Sequence, residues 1–466
     1  MARQPRRLGE NPQDRRVRRR IAPDSGPVTG NHHSDNGIAV CGMPPYRKRV
    51  SRVAFSFEPA ELPAGVSGHA AVGFEPLVRA FSRFVGDRNG AGGALAVHRH
   101  GEPLVDIWHG GASATEPWTH DTGAIVFSAT KGIAATVIHR LADRGLIDYA
   151  APVAEYWPEF GAAGKDRITV RHLLTHRAGL SGLPSIAGGL TEVLDHDLMQ
   201  QRLAAAAPDA LRGTPTYHAL TFGWLLAGLA RAVTGHTMAE LFRTEVAEPL
   251  GVDGIHLGRP PAGAPTTVAT LAGSRLALVG APASALFLGR AYGIPGAAGA
   301  AARSLFLPGL EGLLEGEDPP ILGTQLAAGN GVCTAEGLAA MYGALACDGM
   351  VAGRRYLSAR TIGALRHIES FRLDHGLFYI PMMWHLGYHS LPIPGARTGF
   401  GHIGLGGSFG WAEPRMGLSV GFVHNRLSID KMAWDMIAAA WALPLAVRGA
   451  RAAEKRTTRL PRPAAA

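Results

Sequence analysis

The stretch that decides the reading is Ile125-Val126-Phe127-Ser128-Ala129-Thr130-Lys131-Gly132, which runs straight on into Ile133–Arg144. Three apolar residues suited to a strand lead up to a serine. Behind it, Ile133, Val137, Ile138 and Leu141 recur at helical spacing, with Gly145 placed as a C-cap. The pattern predicts a strand that ends at Ser128 and a helix over Lys131–Arg144. A spacing of three sets Ser128 and Lys131 on one helix face, within reach of each other. A serine hydroxyl is a weak nucleophile and needs an adjacent base. The positive field of a helix N-terminus favours an alkoxide and disfavours a charged ammonium, so a neutral lysine there is able to take the serine proton. Serine–lysine pairs are a recognised nucleophile–base variant. Ser-x-x-Lys also arises often by chance, as an N-cap serine with a surface lysine; the strand-to-helix junction is what favours the catalytic reading.

Upstream, Phe74–Val85 has helix-spaced apolar residues. Gly93–Val97 and Leu104–Trp108, joined at His100-Gly101-Glu102, read as a β-hairpin. Downstream, helices are expected at Val170–Leu174, Glu192–Ala205, Thr221–Val233, Met238–Val246, Thr334–Cys347 and Ser358–His367. Residues 256–330, rich in Ala, Gly and Pro, read as an irregular, lid-like insertion. Near the C-terminus, Gly406–Trp411 and Leu418–Val423 alternate like paired strands, and Ile429–Ala442 closes the body as an amphipathic helix. Strands near both ends with helices between predict an α+β fold: one antiparallel sheet assembled from both chain ends, flanked by helices, with a mostly helical domain inserted. The expected divisions are a tail over 1–66, a body over 67–447 (sheet part 67–150 and 385–447, helical part 151–384) and a second tail over 448–466.

The 466 residues are 46% apolar and 18% charged, an ordinary globular composition. Of the formal charge of +9, +8 lies in residues 1–52 and +5 in 448–466, which leaves the body at −4. The high pI therefore belongs to the ends. Basic tails suit RNA or anionic membranes, or are simply solvated, and no nucleic-acid partner is expected of the body. Cys41, Cys333 and Cys347 make neither a disulfide framework nor a zinc site, which suits a reducing compartment, the cytoplasm. The Arg-rich start lacks the apolar stretch of a signal peptide, and Met43 offers an alternative start. The most apolar stretch, Leu276–Leu288, is interrupted by Pro282 and flanked by Arg275 and Arg290, so no transmembrane helix is expected.

Further motifs stand behind the first in order. They are His172-Leu173-Leu174-Thr175-His176-Arg177-Ala178-Gly179-Leu180, then Tyr217-His218-Ala219-Leu220-Thr221-Phe222-Gly223-Trp224, then Phe400-Gly401-His402-Ile403-Gly404. With Phe127–Gly132 they resemble the motif series of the serine β-lactamase and penicillin-binding-protein superfamily over about residues 70–445, and most of all its class C-like esterases, the family VIII carboxylesterases. The resemblance implies that Ser128 is acylated, that Lys131 accepts its proton, and that Tyr217 shares the base role and protonates the leaving group. It also implies an oxyanion site between the backbone N–H groups of Ser128 and Leu405, with His402, Gly404 and Gly406 beside the substrate. The expected substrate is a small ester or amide, with no cofactor and no metal. Two departures bear on it. Class C β-lactamases carry Tyr-x-Asn where this chain has Ala219, and Lys-Thr-Gly where it has His402-Ile403-Gly404. A neutral imidazole is a poor carboxylate partner near pH 7. Both changes favour uncharged esters. A β-lactamase or D-Ala-D-Ala carboxypeptidase, and a non-catalytic binding protein on the same fold, remain alternatives, and the oligomeric state is open.

Other patterns compete. Gly406-Gly407-Ser408-Phe409-Gly410 matches G-x-S-x-G, but a strand follows where a nucleophile elbow requires a helix. Glycine there instead lets an edge strand approach a substrate. His172 and His176 have metal-compatible spacing but lack the Glu of H-E-x-x-H and read as structural. His98 and His100 flank the hairpin turn and read as surface residues.

Overall fold

The computed structural model describes residues 57–86, 90–273, 290–305, 307–428 and 431–457. In chain order the elements that position the site are β1 (Ser67–Ala70), α1 (Glu75–Val85), β2 (Gly92–Arg99), β3 (Glu102–Gly110), β4 (Thr122–Ile125), α2 (Thr130–Asp143), α3 (Thr221–Thr234), β5 (Ile255–Leu257), β6 (Thr267–Val268), α4 (Ala297–Leu305), β7 (Gly331–Cys333) and α5 (Ala335–Ala346). There follow a two-stranded ribbon of β8 (Met350–Val351) and β9 (Arg354–Arg355), then β10 (Phe400–Ile403), β11 (Phe409–Glu413), β12 (Leu418–His424) and α6 (Ala438–Thr457).

The main sheet has the order β1-β3-β2-β12-β11-β10 and is antiparallel throughout. Its centre is the pairing of β2 with β12, Leu95 opposite Phe422, which joins the two ends of the chain. Alternation decides what each face covers. Leu95 and Val97, with Phe409 and Phe422, pack under α1 and α6. Ala94 and Ala96, with Ala412 and Val423, face α2 and α5. Covered on both sides, β2 is buried along nearly its whole length. Small residues on the second face let α5 sit close; a Cβ at Gly421 would lie 2.1 Å from the Ala335 carbonyl oxygen. The fold is the expected α+β class with helices on both faces of an antiparallel sheet.

The structure corrects several expectations. The chain is already part of the body before residue 67: Ala60 N donates to Ala70 O at 2.8 Å, and Pro59 bridges to Ala71. At the other end, α6 continues to Thr457, ten residues past the expected boundary at 447. Its Ala446, Val447 and Ala450 are buried against the α1 layer, so the alanines interspersed among the arginines supply an apolar face. Residues 1–56 and 458–466 of the expected tails lie outside the described residues. The inserted part, expected to be mostly helical, also contains short strands. It supplies β5, β6 and β7 to a second sheet of order β5-β7-β4-β6, and β4 is the strand that leads to Ser128. Of the expected insertion over 256–330, residues 274–289 and 306 lie outside the described residues; of the remainder, Ser304 and Ala328 reach the site, as shown below. His98 is buried, not on the surface, because it ends the central strand beneath α5, where its Nε2 lies 2.7 Å from Glu336. His100 is exposed at the turn. No helix among the described residues is long and apolar enough to cross a membrane.

Candidate active site

β4 ends at Ile125 and the chain turns through Phe127–Ala129, a single 3₁₀ turn, into α2. Phe127 takes φ 45°, a left-handed conformation uncommon for an aromatic residue, at the bend that presents Ser128. Thr130 braces the bend: its Oγ1 donates to Phe127 O at 2.5 Å and accepts from Gly331 N at 2.9 Å, which ties the first turn of α2 to β7. The first bonded amide of the turn is Ala129, whose N–H reaches Val126 O at 3.0 Å. The N–H of Ser128 precedes it and is one of the unpaired donors of a helix start.

Lys131 is fully buried. Its Nζ lies 3.0 Å from Ser128 Oγ, 2.6 Å from Ala219 O and 2.8 Å from Ala328 O. Burial pulls its pKa well below the usual ammonium value. The geometry suits a neutral amine. Two N–H bonds go to the two carbonyls, and the remaining tetrahedral direction, the lone pair, faces the serine hydroxyl. Each carbonyl comes from a different segment: Ala219 precedes α3 and Ala328 precedes β7.

Tyr217 completes the group. Its hydroxyl bonds Ser128, and its ring centroid lies 4.9 Å from Lys131 Nζ. Burial pushes its pKa above the usual phenol value. Its ring stacks on Trp384, centroids 5.8 Å apart and planes within 8°. Its backbone is held from two sides. The buried Asp374 carboxylate accepts from Tyr217 N at 2.9 Å, from Gly376 N at 2.8 Å and from Trp384 Nε1 at 2.9 Å. Ser304 Oγ, from α4, donates to Tyr217 O and accepts from Ala219 N at 3.2 Å.

On the opposite side, β10 brings its C-terminal end to the serine. Gly404 permits this; a Cβ there would sit 2.0 Å from Val126 O. The next residue, Leu405, has an exposed side chain, and among the described residues its N–H meets no carbonyl. Gly406 takes φ 85°, the conformation that turns the chain back toward β11. His402 is buried near Tyr217, ring centroids 6.4 Å apart. Burial, with a smaller contribution from His389, holds its pKa well below the ordinary imidazole value.

Every expected site residue thus falls in this one region. The competing patterns fall elsewhere or serve the framework. Ser408 is buried, and its Oγ accepts from His424 N at 3.2 Å. His172 caps the helix Val170–Leu174 in a reciprocal pair with Thr169. His176 packs on Trp384, centroids 4.3 Å apart, and accepts from His218 N at 3.1 Å. The sequence reading missed the carbonyls of Ala219 and Ala328 and the supports Thr130, Ser304, Asp374 and Trp384. Only Asp374 carries a visible signal, a lone acid within the apolar run Phe371–Ile380.

The beta-lactamase family model matches residues 77–440. The chain is 50% identical over 365 residues to the esterase/beta-lactamase LipL of Mycobacterium tuberculosis, covering 78% of this chain and 83% of that one. Among solved structures it is similar to a family VIII carboxylesterase, at 32% identity and TM-score 0.66, covering 81% of this chain and 99% of that one. It is also similar to a penicillin-binding-protein homologue from Caulobacter crescentus, at 30% identity and TM-score 0.67, covering 84% and 99%. With its serine, lysine and tyrosine gathered at the junction of a strand and a helix, the chain belongs to the beta-lactamase family of serine hydrolases.

Proposed function

We propose that this hydrolase cleaves small carboxylic esters through a covalent acyl-enzyme on Ser128. The observation that carries the reading is the setting of Lys131, desolvated and oriented by two carbonyls with its remaining position on Ser128 Oγ. Lys131 takes the hydroxyl proton as Oγ attacks the ester carbonyl carbon. The N–H groups of Ser128 and Leu405 receive the negative oxygen. As the carbon–oxygen bond to the alcohol breaks, Tyr217 gives its proton to the departing oxygen and regains one from Lys131. Water then attacks the acyl carbon by the same route in reverse.

Esters are favoured over β-lactams by two side chains. Ala219 offers no amide to a substrate, and the buried, neutral His402 supplies no cation for a carboxylate. Gly404 and Gly406 shape the turn that sets the Leu405 N–H beside the substrate carbonyl. The names of the relatives, an esterase/beta-lactamase and a carboxylesterase, accord with this. Cys333 and Cys347 are both free thiols, which supports a reducing, cytoplasmic setting.

The test is p-nitrophenyl butyrate turnover with fluorophosphonate labelling, and nitrocefin alongside. Ser128→Ala is expected to abolish both turnover and labelling. Lys131→Arg is expected to lose at least about a hundredfold, because a guanidinium stays charged and accepts no proton. Unchanged labelling of Ser128→Ala removes the nucleophile assignment; nitrocefin turnover that rivals good esters makes this a β-lactamase.

A further inference from the structure

Eleven large apolar side chains are exposed among the described residues, and ten of them fall in two clusters. The first is the segment Phe371, Leu373, Phe378, Tyr379 and Ile380, joined by Ile294. The second is Leu405 with Trp434, Met436 and Ile437. Scattered exposed apolar residues are ordinary, but clusters of this kind mark contact surfaces.

Each cluster is fastened to a different wall of the Ser128 site. Asp374, in the middle of the first, holds Tyr217 and Trp384. Ile294 belongs to the same rim, since a Cβ at the neighbouring Gly296 would lie 3.4 Å from the Tyr379 hydroxyl. In the second cluster Leu405 follows Gly404, which abuts Val126 beside the serine. A Cβ at Gly407 would lie 1.9 Å from Asp435 O, so the β10–β11 turn rests directly on the segment that carries Trp434 and Met436.

At the first rim the exposed charges are one-sided. Arg290 and Arg372 are exposed there, whereas Lys431, exposed at the second rim, follows Asp430 in the sequence. Two acids among the described residues of the two segments, Asp374 and Asp435, are buried, the first accepting from backbone and indole N–H groups and the second paired with Arg426 at 2.5 Å. A surface of exposed aromatic and aliphatic side chains with arginines along one rim is complementary to an anionic lipid surface. We propose that the two rims dock the mouth of the Ser128 site on an anionic lipid bilayer. The docking is independent of the ester chemistry proposed above and is measured without turnover.

The experiment is co-sedimentation of the full chain, in its Ser128→Ala form, with vesicles of phosphatidylglycerol and phosphatidylcholine and with vesicles of phosphatidylcholine alone. The basic ends of the chain are common to all variants and serve as the internal control. Phe378→Ser combined with Trp434→Ser is expected to lower partition to the mixed vesicles by about tenfold. Arg372→Ala is expected to lower it by about fivefold on the mixed vesicles and not at all on phosphatidylcholine. A melting temperature equal to the parent's confirms that each variant is folded. Equal partition of all variants overturns the proposal and assigns binding to the chain ends, and so does failure of the parent to bind at low salt. A concentration-dependent dimer in analytical ultracentrifugation that the double variant abolishes also overturns it, by giving the face to a second copy.

Discussion

Replacing Asp374 with asparagine changes one oxygen to an amide and tests whether Tyr217 is held from behind. Oδ1 accepts two N–H groups, from Tyr217 and Gly376, and Oδ2 accepts the Trp384 indole N–H. In Asp374→Asn the amide oxygen keeps the two backbone donors only by turning its NH₂ toward the indole, so two donors face each other. Trp384 is fully buried, and its N–H finds no water in exchange. An unsatisfied buried N–H and two bonds to a neutral instead of a charged acceptor cost about 3 kcal/mol. Burial already disfavours the ionised Asp374 carboxyl, holding its pKa above the ordinary value, so a neutral amide recovers part of that cost. The net loss is about 2 kcal/mol, and for a chain of this length the melting temperature is expected to fall by about 2 °C. Trp384 carries the stacked ring of Tyr217, so the acylation rate is expected to fall about tenfold. The fraction of enzyme that a fluorophosphonate labels at completion should stay that of the parent. Thermal melting and stopped-flow acylation read the two effects separately. A variant that melts within a degree of the parent and acylates at the parent's rate refutes the argument.

Gly404→Ala brings a Cβ against Val126 O and must push the β10–β11 turn from the serine; turnover should fall about a hundredfold, the scale of one lost oxyanion donor, with the sheet intact by circular dichroism. Ser408→Ala, by contrast, should leave turnover within about threefold and cost about 1 kcal/mol in urea melts, because its hydroxyl serves only the His424 backbone. Acid should destabilise the fold as its buried histidines take up protons on unfolding. Burial holds His218, His385 and His389 at about 4 against 6.5 when exposed. Between those values the unfolded chain binds more protons, so stability is lost as pH falls from 6.5 toward 4, by up to about 1.4 kcal/mol per histidine per pH unit. Urea midpoints that stay flat over that window would contradict it.

The grouping of Ser128, Lys131 and Tyr217 was legible in the sequence because it is carried by side chains at recognisable spacing. The sheet built from both ends was legible because Gly93–Val97 and Leu418–Val423 alternate. What holds Lys131 was not. A carbonyl oxygen is present at every residue, so nothing in the letters of Ala219 or Ala328 marks them. The short strands β5 to β7 were hidden for a related reason: two or three residues are too few for a period, and only pairing with β4 defines them. At the C-terminus, counting arginines hid the alanine stripe of α6. His98 was misplaced because a residue beside a turn is exposed only when its strand lies at an edge, and β2 lies at the centre.

The two carbonyls on Lys131 have a consequence for heat. They reach it from loops more than a hundred residues apart, before α3 and before β7, and in the proposed mechanism Lys131 stays neutral only while both exclude water. A loosening of either loop too small to break the sheet admits solvent, restores the ammonium and silences the serine. Warmed slowly, the enzyme should stop working several degrees before it melts, and start again on cooling.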